Sequence, residues 1–237
     1  MTVYDDLLAV QTLDTNADQL RHRRAHLPER AELSGVERDL GALDVRIGEV
    51  SAERDVIARN EKRLEDEIAL VRERAAVADR NLYAGTTNSP KELQAIQDEI
   101  ASLSRRQRDL EDEELEAMEQ AEPLDALLAG LAAERAKLDD RCVSLLAQIG
   151  EAETAIDGEL EVVLAQRAEA AAPVAADLLA TYDKLRLAHA GIAVARLNGN
   201  RCEGCHLTLS AVEIDQIRHL PPDAEVHCSE CDRLLVR

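Results

Sequence analysis

The chain has no phenylalanine and no tryptophan, and its only aromatic rings beyond histidine are Tyr4, Tyr83 and Tyr182. A globular core filled by large rings is thereby excluded. Lysine is scarce as well, confined to Lys62, Lys91, Lys137 and Lys184, so nearly all positive charge is arginine. Acids outnumber bases by 48 to 28, a formal net charge of −20, and such a surface repels phosphate at long range. No apolar run approaches the ~18 residues of a membrane span. The opening residues, Met1-Thr-Val-Tyr-Asp-Asp, show no basic and apolar leader, so a cytoplasmic protein without membrane contact is expected. A phosphate-binding glycine loop, an HExxH pair and a nucleophile elbow are all missing. No catalytic residue and no small-molecule substrate are therefore expected, and the protein is read as a non-enzyme.

What the sequence does contain is a long seven-residue repeat. Apolar residues at 3-4 spacing run through Leu33, Val36, Leu40, Leu43, Ile47, Val50, Ile57, Leu64, Ile68, Val71, Ala75, Ala78 and Leu82, with Arg54 and Glu61 as polar exceptions. The spacing restarts at Leu93, Ile96, Ile100, Leu103 and Leu110 and continues through Leu124, Leu128, Leu131, Leu138, Leu145, Ile149 and Ile156 to Val163. A repeat sustained this far means coiled-coil helices. Between the two seams, Asn81–Glu92 reads as a turn. Gly85 can take positive φ, and Ser89-Pro90-Lys91-Glu92 is a helix start in which Ser89 caps and Pro90 holds the first helical position. So short a connection makes the helices antiparallel neighbours. Pairing Leu82 with Leu93 sets Glu61 opposite Glu114, a like-charge layer unless Arg54 reaches it. The same register lays residues 2–27 against about 148–173.

Residues 2–27 form a helix with its own apolar set of Val3, Leu7, Val10, Leu13, Ala17, Leu20 and Leu27. The phase slips at Pro28, where a break or kink is expected. Pro123 interrupts nothing in the 3-4 spacing and is read as a kink within one helix. A further helix covers Val174–Ala190. Cys142 falls on the seam and is read as a small core residue. His22 and His26, beside Arg21, Arg23 and Arg24, are read as a solvated helix face.

From Gly191 the composition changes. Cys202-Glu-Gly-Cys205 and Cys228-Ser-Glu-Cys231 are two CxxC pairs at zinc-ribbon separation, in a chain whose cysteines otherwise number one. Each pair forms a knuckle presenting two sulfurs, and Gly204 is expected to relax the first knuckle's backbone. Two knuckles complete a tetrahedron for one structural Zn²⁺ with no open position for water. His206 and His227 flank ligand cysteines, but four thiolates suffice. Short strands are expected at Ile192–Leu197, Leu207–Leu209, Ala224–His227 and Leu234–Val236. Ser210-Ala-Val-Glu213 is a capping box opening a helix to about Leu220, closed by Pro221-Pro222. A segment this small without aromatics draws its folding energy from the metal.

The fold class is thus mainly α: a long antiparallel coiled-coil helical hairpin with kinks, over residues 1–190 with its turn near 83–90, plus a small β-rich C4 zinc ribbon at 191–237. The two are expected to share little core. The tip Leu82-Tyr-Ala-Gly-Thr-Thr-Asn-Ser-Pro-Lys-Glu-Leu93 and the ligands Cys202, Cys205, Cys228 and Cys231 resemble the bacterial C4-type zinc-ribbon, coiled-coil hairpin family, and the composition is similar to an actinobacterial member. The resemblance covers essentially the whole chain. It implies an elongated hairpin ending in a zinc ribbon, and roles as adaptor or chaperone-like proteins for flagellar and secretion components, or as nucleic-acid binders.

Two functions follow. The first is an adaptor that binds an unidentified protein client through the tip and the ribbon. The second is DNA or RNA binding through the ribbon and the arginine clusters, Arg21–Arg24 and Arg105, Arg106 and Arg108 among them. Candidate contacts for either are Arg196, Arg201, Arg218, Tyr83 and Lys91. The ribbon itself holds five arginines against seven acids and no stacking aromatic, which favours the adaptor.

Overall fold

A computed structural model of the chain describes residues 3–84, 89–221 and 224–237. Five helices and three strands follow one another: α1 (Val3–Ala25), α2 (Pro28–Tyr83), α3 (Pro90–Ala171), α4 (Ala176–Ala188), β1 (Val194–Asn198), β2 (Arg201–Cys202), α5 (Ala211–His219) and β3 (Leu234–Val236). The turn expected at Gly85 and the stop expected at Pro222 lie outside the described residues.

Proline sets the helix boundaries. Pro28 opens α2, where a missing N–H costs nothing, so the slip in the apolar pattern is a break between α1 and α2. Pro90 opens α3, with the Glu92 and Leu93 backbone N–H groups donating to the Ser89 carbonyl at 3.1 Å. Pro123 lies inside α3, which runs through it. Lacking an N–H, it deprives the Glu119 carbonyl of its helical donor.

The chain divides into two compact units, one of Glu32–Ser144 and one of Met1–Ala31 with Leu145–Arg237. In the first, α2 and α3 run antiparallel. Their flanks are joined by Arg72–Glu111, Arg54–Asp125, Arg135–Asp44 and Arg141–Glu32 at 2.6–2.9 Å. Leu64, Ile68, Leu110 and Ala117 form one buried seam cluster, and Leu43, Val50 and Leu131 another. Ala117 and Ala121, absent from the expected seam, are both buried. Glu61 lines a cleft with Arg54, Leu115, Met118, Glu119 and Glu122. Arg54 does reach Glu61, at 3.0 Å.

In the second unit α1 lies along the later part of α3, tied by Arg23–Glu159 at 2.6 Å, Arg24–Asp157 at 2.8 Å and Arg167–Asp14 at 3.1 Å. Tyr4, Leu7 and Val10 of α1 pack with Val174, with Tyr182 and Leu185 of α4, and with Ala193, Val194, Leu234 and Val236. The C-terminal segment therefore shares a core with the helices, contrary to expectation. Sheet geometry is the reason. The strand order is β2-β1-β3, with β1 parallel to β3 and antiparallel to β2. Alternate residues of a strand face opposite sides. Val194, Leu234 and Val236 face the helical core, while Ala195 and Leu235 face a second core with Cys202, Leu209, Ile214, Ile217, Val226 and Cys228.

Two of the four expected strands are thus present. Leu207–Leu209 and Ala224–His227 contribute only single bridges, Arg201–Thr208 and His227–Leu234. The short helix forms as read: the Ser210 side chain accepts from the Glu213 N–H at 3.3 Å, and the Glu213 carboxylate accepts from the Ser210 N–H at 2.8 Å.

Candidate metal centre

Each CxxC folds into the same knuckle. The His206 N–H donates to the Cys202 carbonyl and the Asp232 N–H to the Cys228 carbonyl, both at 2.8 Å. A second pair closes each loop, Cys202 N–H to the Leu207 carbonyl at 3.0 Å and Cys228 N–H to the Arg233 carbonyl at 2.9 Å. The chain can turn back so sharply because the residue after each second cysteine takes a left-handed conformation, with φ of 62° at His206 and 59° at Asp232. Gly204 has another purpose than the one expected. A Cβ there would stand 2.7 Å from Arg233 Cδ and 2.9 Å from Ala195 Cβ, so glycine is needed because the other knuckle and β1 approach it closely.

The knuckles bring the four sulfurs together. Cys202 and Cys231 Sγ are 4.0 Å apart, Cys205 and Cys228 Sγ 3.8 Å, and all four lie within 4.8 Å of one another. A disulfide needs about 2.05 Å, so these are four free thiols. A tetrahedral ion with metal–sulfur bonds near 2.3 Å requires sulfur edges of about 3.8 Å, and the arrangement fits that demand. The site residues Cys202 and Cys228 are buried, and Cys205 and Cys231 half-buried. Among the described residues this is the one group of three or more histidine, cysteine or acidic side chains placed to hold a metal.

At Cys202 and Cys228 burial outweighs the donors around the sulfur, whereas at Cys231 the donors win. Burial pushes the Cys202 thiol up and the Cys228 thiol up to about 12, although backbone N–H groups of Gly204 and Cys205, and of Glu230 and Cys231, point at the two sulfurs and oppose the rise. At Cys231 burial acts the same way but is outweighed by the Arg233 N–H and side chain, which bring it down to about 7. A bound cation supplies the charge that burial otherwise denies. His227 stands outside the cluster. Its Nδ1 meets the Asp232 carbonyl at 2.9 Å and its Nε2 the Glu225 carboxylate at 2.7 Å. Burial works against its protonation, but these two acids raise its pKa above the ordinary value.

Among the described residues the remaining candidate contacts are not bonded to one another. Arg196 reaches Asp5 of α1 at 3.7 Å. Arg201 donates to the His206 carbonyl at 3.0 Å, bracing the first knuckle. Arg218, Tyr83 and Lys91 are exposed, Tyr83 at 79%. Two residues that sequence reasoning missed organise the ground beneath the site. Gln11 of α1 accepts from the Ala193 and Val194 N–H groups at 2.7 and 2.8 Å and donates to the Val194 carbonyl at 2.8 Å, serving β1 as a neighbouring strand would. Asp14, 5% exposed, accepts from Tyr182 Oη at 2.8 Å and Arg167 Nε at 3.1 Å, joining α1, α3 and α4. Tyr182 is held protonated well above the usual phenol range, first by burial and then by that bond.

Residues 10–190 match the CT398-like coiled coil hairpin domain. An uncharacterized protein of Mycobacterium tuberculosis strain H37Rv is 33% identical over 242 residues, covering 98% of this chain and 94% of that one. A solved structure from Mycobacterium smegmatis superposes with a TM-score of 0.85 at 24% identity, over 99% of this chain and 97% of that one. CT398 from Chlamydia trachomatis superposes at 0.67 with 20% identity and the same coverage. Both structural likenesses concern the fold.

Proposed function

This chain belongs to the CT398-like coiled-coil hairpin family, and on that premise we propose that it is a non-enzymatic adaptor of the cytosol. Its hairpin offers surface to protein clients, and its C-terminal segment is built around one structural zinc held by Cys202, Cys205, Cys228 and Cys231. The observation that carries this reading is the state of the arginines. Several of those a phosphate-binding surface would draw on are engaged by acids of the same chain: Arg21 by Asp18, Arg23 by Glu159, Arg24 by Asp157 and Glu153, and Arg106 by Glu67 and Glu113. A nucleic acid would have to displace these carboxylates against a net charge of −20.

Four free cysteines at a metal-ligand spacing suit a reducing compartment. Among the described residues no helix is long and apolar enough to cross a membrane. The test is a salt titration of binding to mixed single- and double-stranded DNA and RNA, starting at low ionic strength. The adaptor reading expects weak binding at every salt. Micromolar binding at physiological salt, lost when Arg201 and Arg218 become Glu, would transfer the function to nucleic acid and to the ribbon.

A further inference from the structure

The seam of the hairpin is defective at one place, and the defect has chemistry of its own. Arg54 and Glu61 occupy positions where the repeat calls for apolar residues, and α3 opposes that stretch with the small buried side chains of Ala117 and Ala121. Long polar side chains cannot fill such a seam without losing solvent, so they lean outward and pair with each other at 3.0 Å. What results is a cleft of about 510 Å³ lined by Arg54, Glu61, Leu115, Met118, Glu119, Ala121, Glu122 and Asp125. It adjoins Pro123.

Two features of the lining matter. Leu115 and Met118, one turn apart on α3, are 59% and 56% exposed, although each would bury readily against an apolar partner. Around them acids outnumber the one base, Arg54. Arg54 is already taken by Glu61 and by Asp125 at 2.9 Å. Among the described residues Glu119 and Glu122 have no ion-pair partner, and both are exposed. An apolar floor inside an acidic rim suits an amphipathic cationic segment: its apolar side chains cover Leu115 and Met118 while its Lys or Arg residues meet the free carboxylates. A second copy of this chain is a poor occupant, because it brings a net charge of −20 to the same rim.

We propose that the cleft at Arg54, Glu61, Leu115 and Met118 is a docking site for a basic, apolar-faced helical segment of a partner protein. The proposal rests on the adaptor reading and names the chemistry of the client. Charge steers the segment in, and the apolar contact decides how long it stays.

The probe is a short amphipathic helical peptide of Leu and Lys, labelled for fluorescence anisotropy against the full chain at about 150 mM salt. A Ser/Lys peptide of equal charge serves as control. Binding of the Leu/Lys peptide should weaken about tenfold in Leu115→Ser/Met118→Ser and again in Glu119→Gln/Glu122→Gln, all four being exposed positions where folding is spared. Replacing two exposed acids elsewhere, Glu161→Gln/Glu169→Gln, should change affinity by less than about twofold. Equal loss in this control pair, tight binding of the Ser/Lys peptide, or indifference to the Leu115 and Met118 changes would each overturn the proposal. So would a dimer in sedimentation that Met118→Ser dissociates. Failure of the peptide together with weak nucleic-acid binding removes the cleft alone, whereas tight nucleic-acid binding removes the adaptor reading itself.

Discussion

At the scale of single residues, position decides more than type. Gly204 and Gly150 illustrate it. A methyl group on Gly204 meets Ala195 Cβ and the Arg233 side chain below 3.0 Å, while one on Gly150, in an exposed turn of α3, meets nothing within 4 Å. Gly204→Ala should cost about 1–3 kcal/mol, read as a lower melting temperature and weaker metal retention. Gly150→Ala should stabilise by about 0.5–1 kcal/mol. The sequence suggested that Gly204 mattered but not why, because the crossing of two knuckles is a tertiary fact. Tyr182 carries a second prediction. Burial and Asp14 raise its folded pKa far above the unfolded value of about 10, so its contribution is complete below that pH and is lost as pH rises beyond it. Unfolding measured across the alkaline range should show stability falling above about pH 10, and Tyr182→Phe should flatten that fall at the expense of about 1 kcal/mol at neutral pH. An unchanged alkaline profile would mean that Tyr182 is not held as described. Asp14 was legible in principle: it stands in helical phase with Leu7, Val10 and Ala17, an acid on an apolar stripe. Leu13, its apolar neighbour, is only half-buried.

At the scale of elements, periodicity made the helices legible and left the sheet obscure. A repeat that recurs over fifty residues averages out its exceptions, and α2, α3 and α5 each begin at a proline or a capping box. Strands of two, three and five residues offer no such average. One signal was present: Leu234-Leu235-Val236 is unbroken apolar sequence, as a strand buried on both faces requires. Ala117 and Ala121 keep the 3-4 spacing between Leu110 and Leu124, but Ala is nearly neutral in hydrophobicity and marks a seam only weakly. Where the sheet meets α1, Gln11 makes three bonds to the backbone of Ala193 and of Val194 at the start of β1. Gln11→Ala strands two N–H groups and one carbonyl in a partly buried place and should cost about 2–3 kcal/mol. Hydrogen exchange at Ala193 and Val194 should accelerate with it. If those amides stay protected, β1 is held by its strand neighbours and the helical cap is dispensable.

At the scale of the whole molecule, the four cysteines and their spacing were readable from sequence, whereas the consequence of binding a metal there was not. CxxC spacing declares a knuckle because two sulfurs three residues apart can share one ion. Nothing in that spacing says that the sheet beside it has a second face. Val194, Leu234 and Val236 on that face pack with Leu7, Val10 and Tyr182. Metal loading is therefore expected to reach α1 and α4 through β1 and β3, and the central claim is that the metal centre is part of the fold of the unit formed by Met1–Ala31 and Leu145–Arg237. The direct measurement is hydrogen exchange by mass spectrometry on protein loaded with one zinc and on the same protein after chelation. The account predicts that chelation removes protection from residues 193–237 and also from α1 and α4, while the α2 and α3 residues within Glu32–Ser144 keep theirs. Loss confined to residues 201–232, or no loss at all, would contradict it.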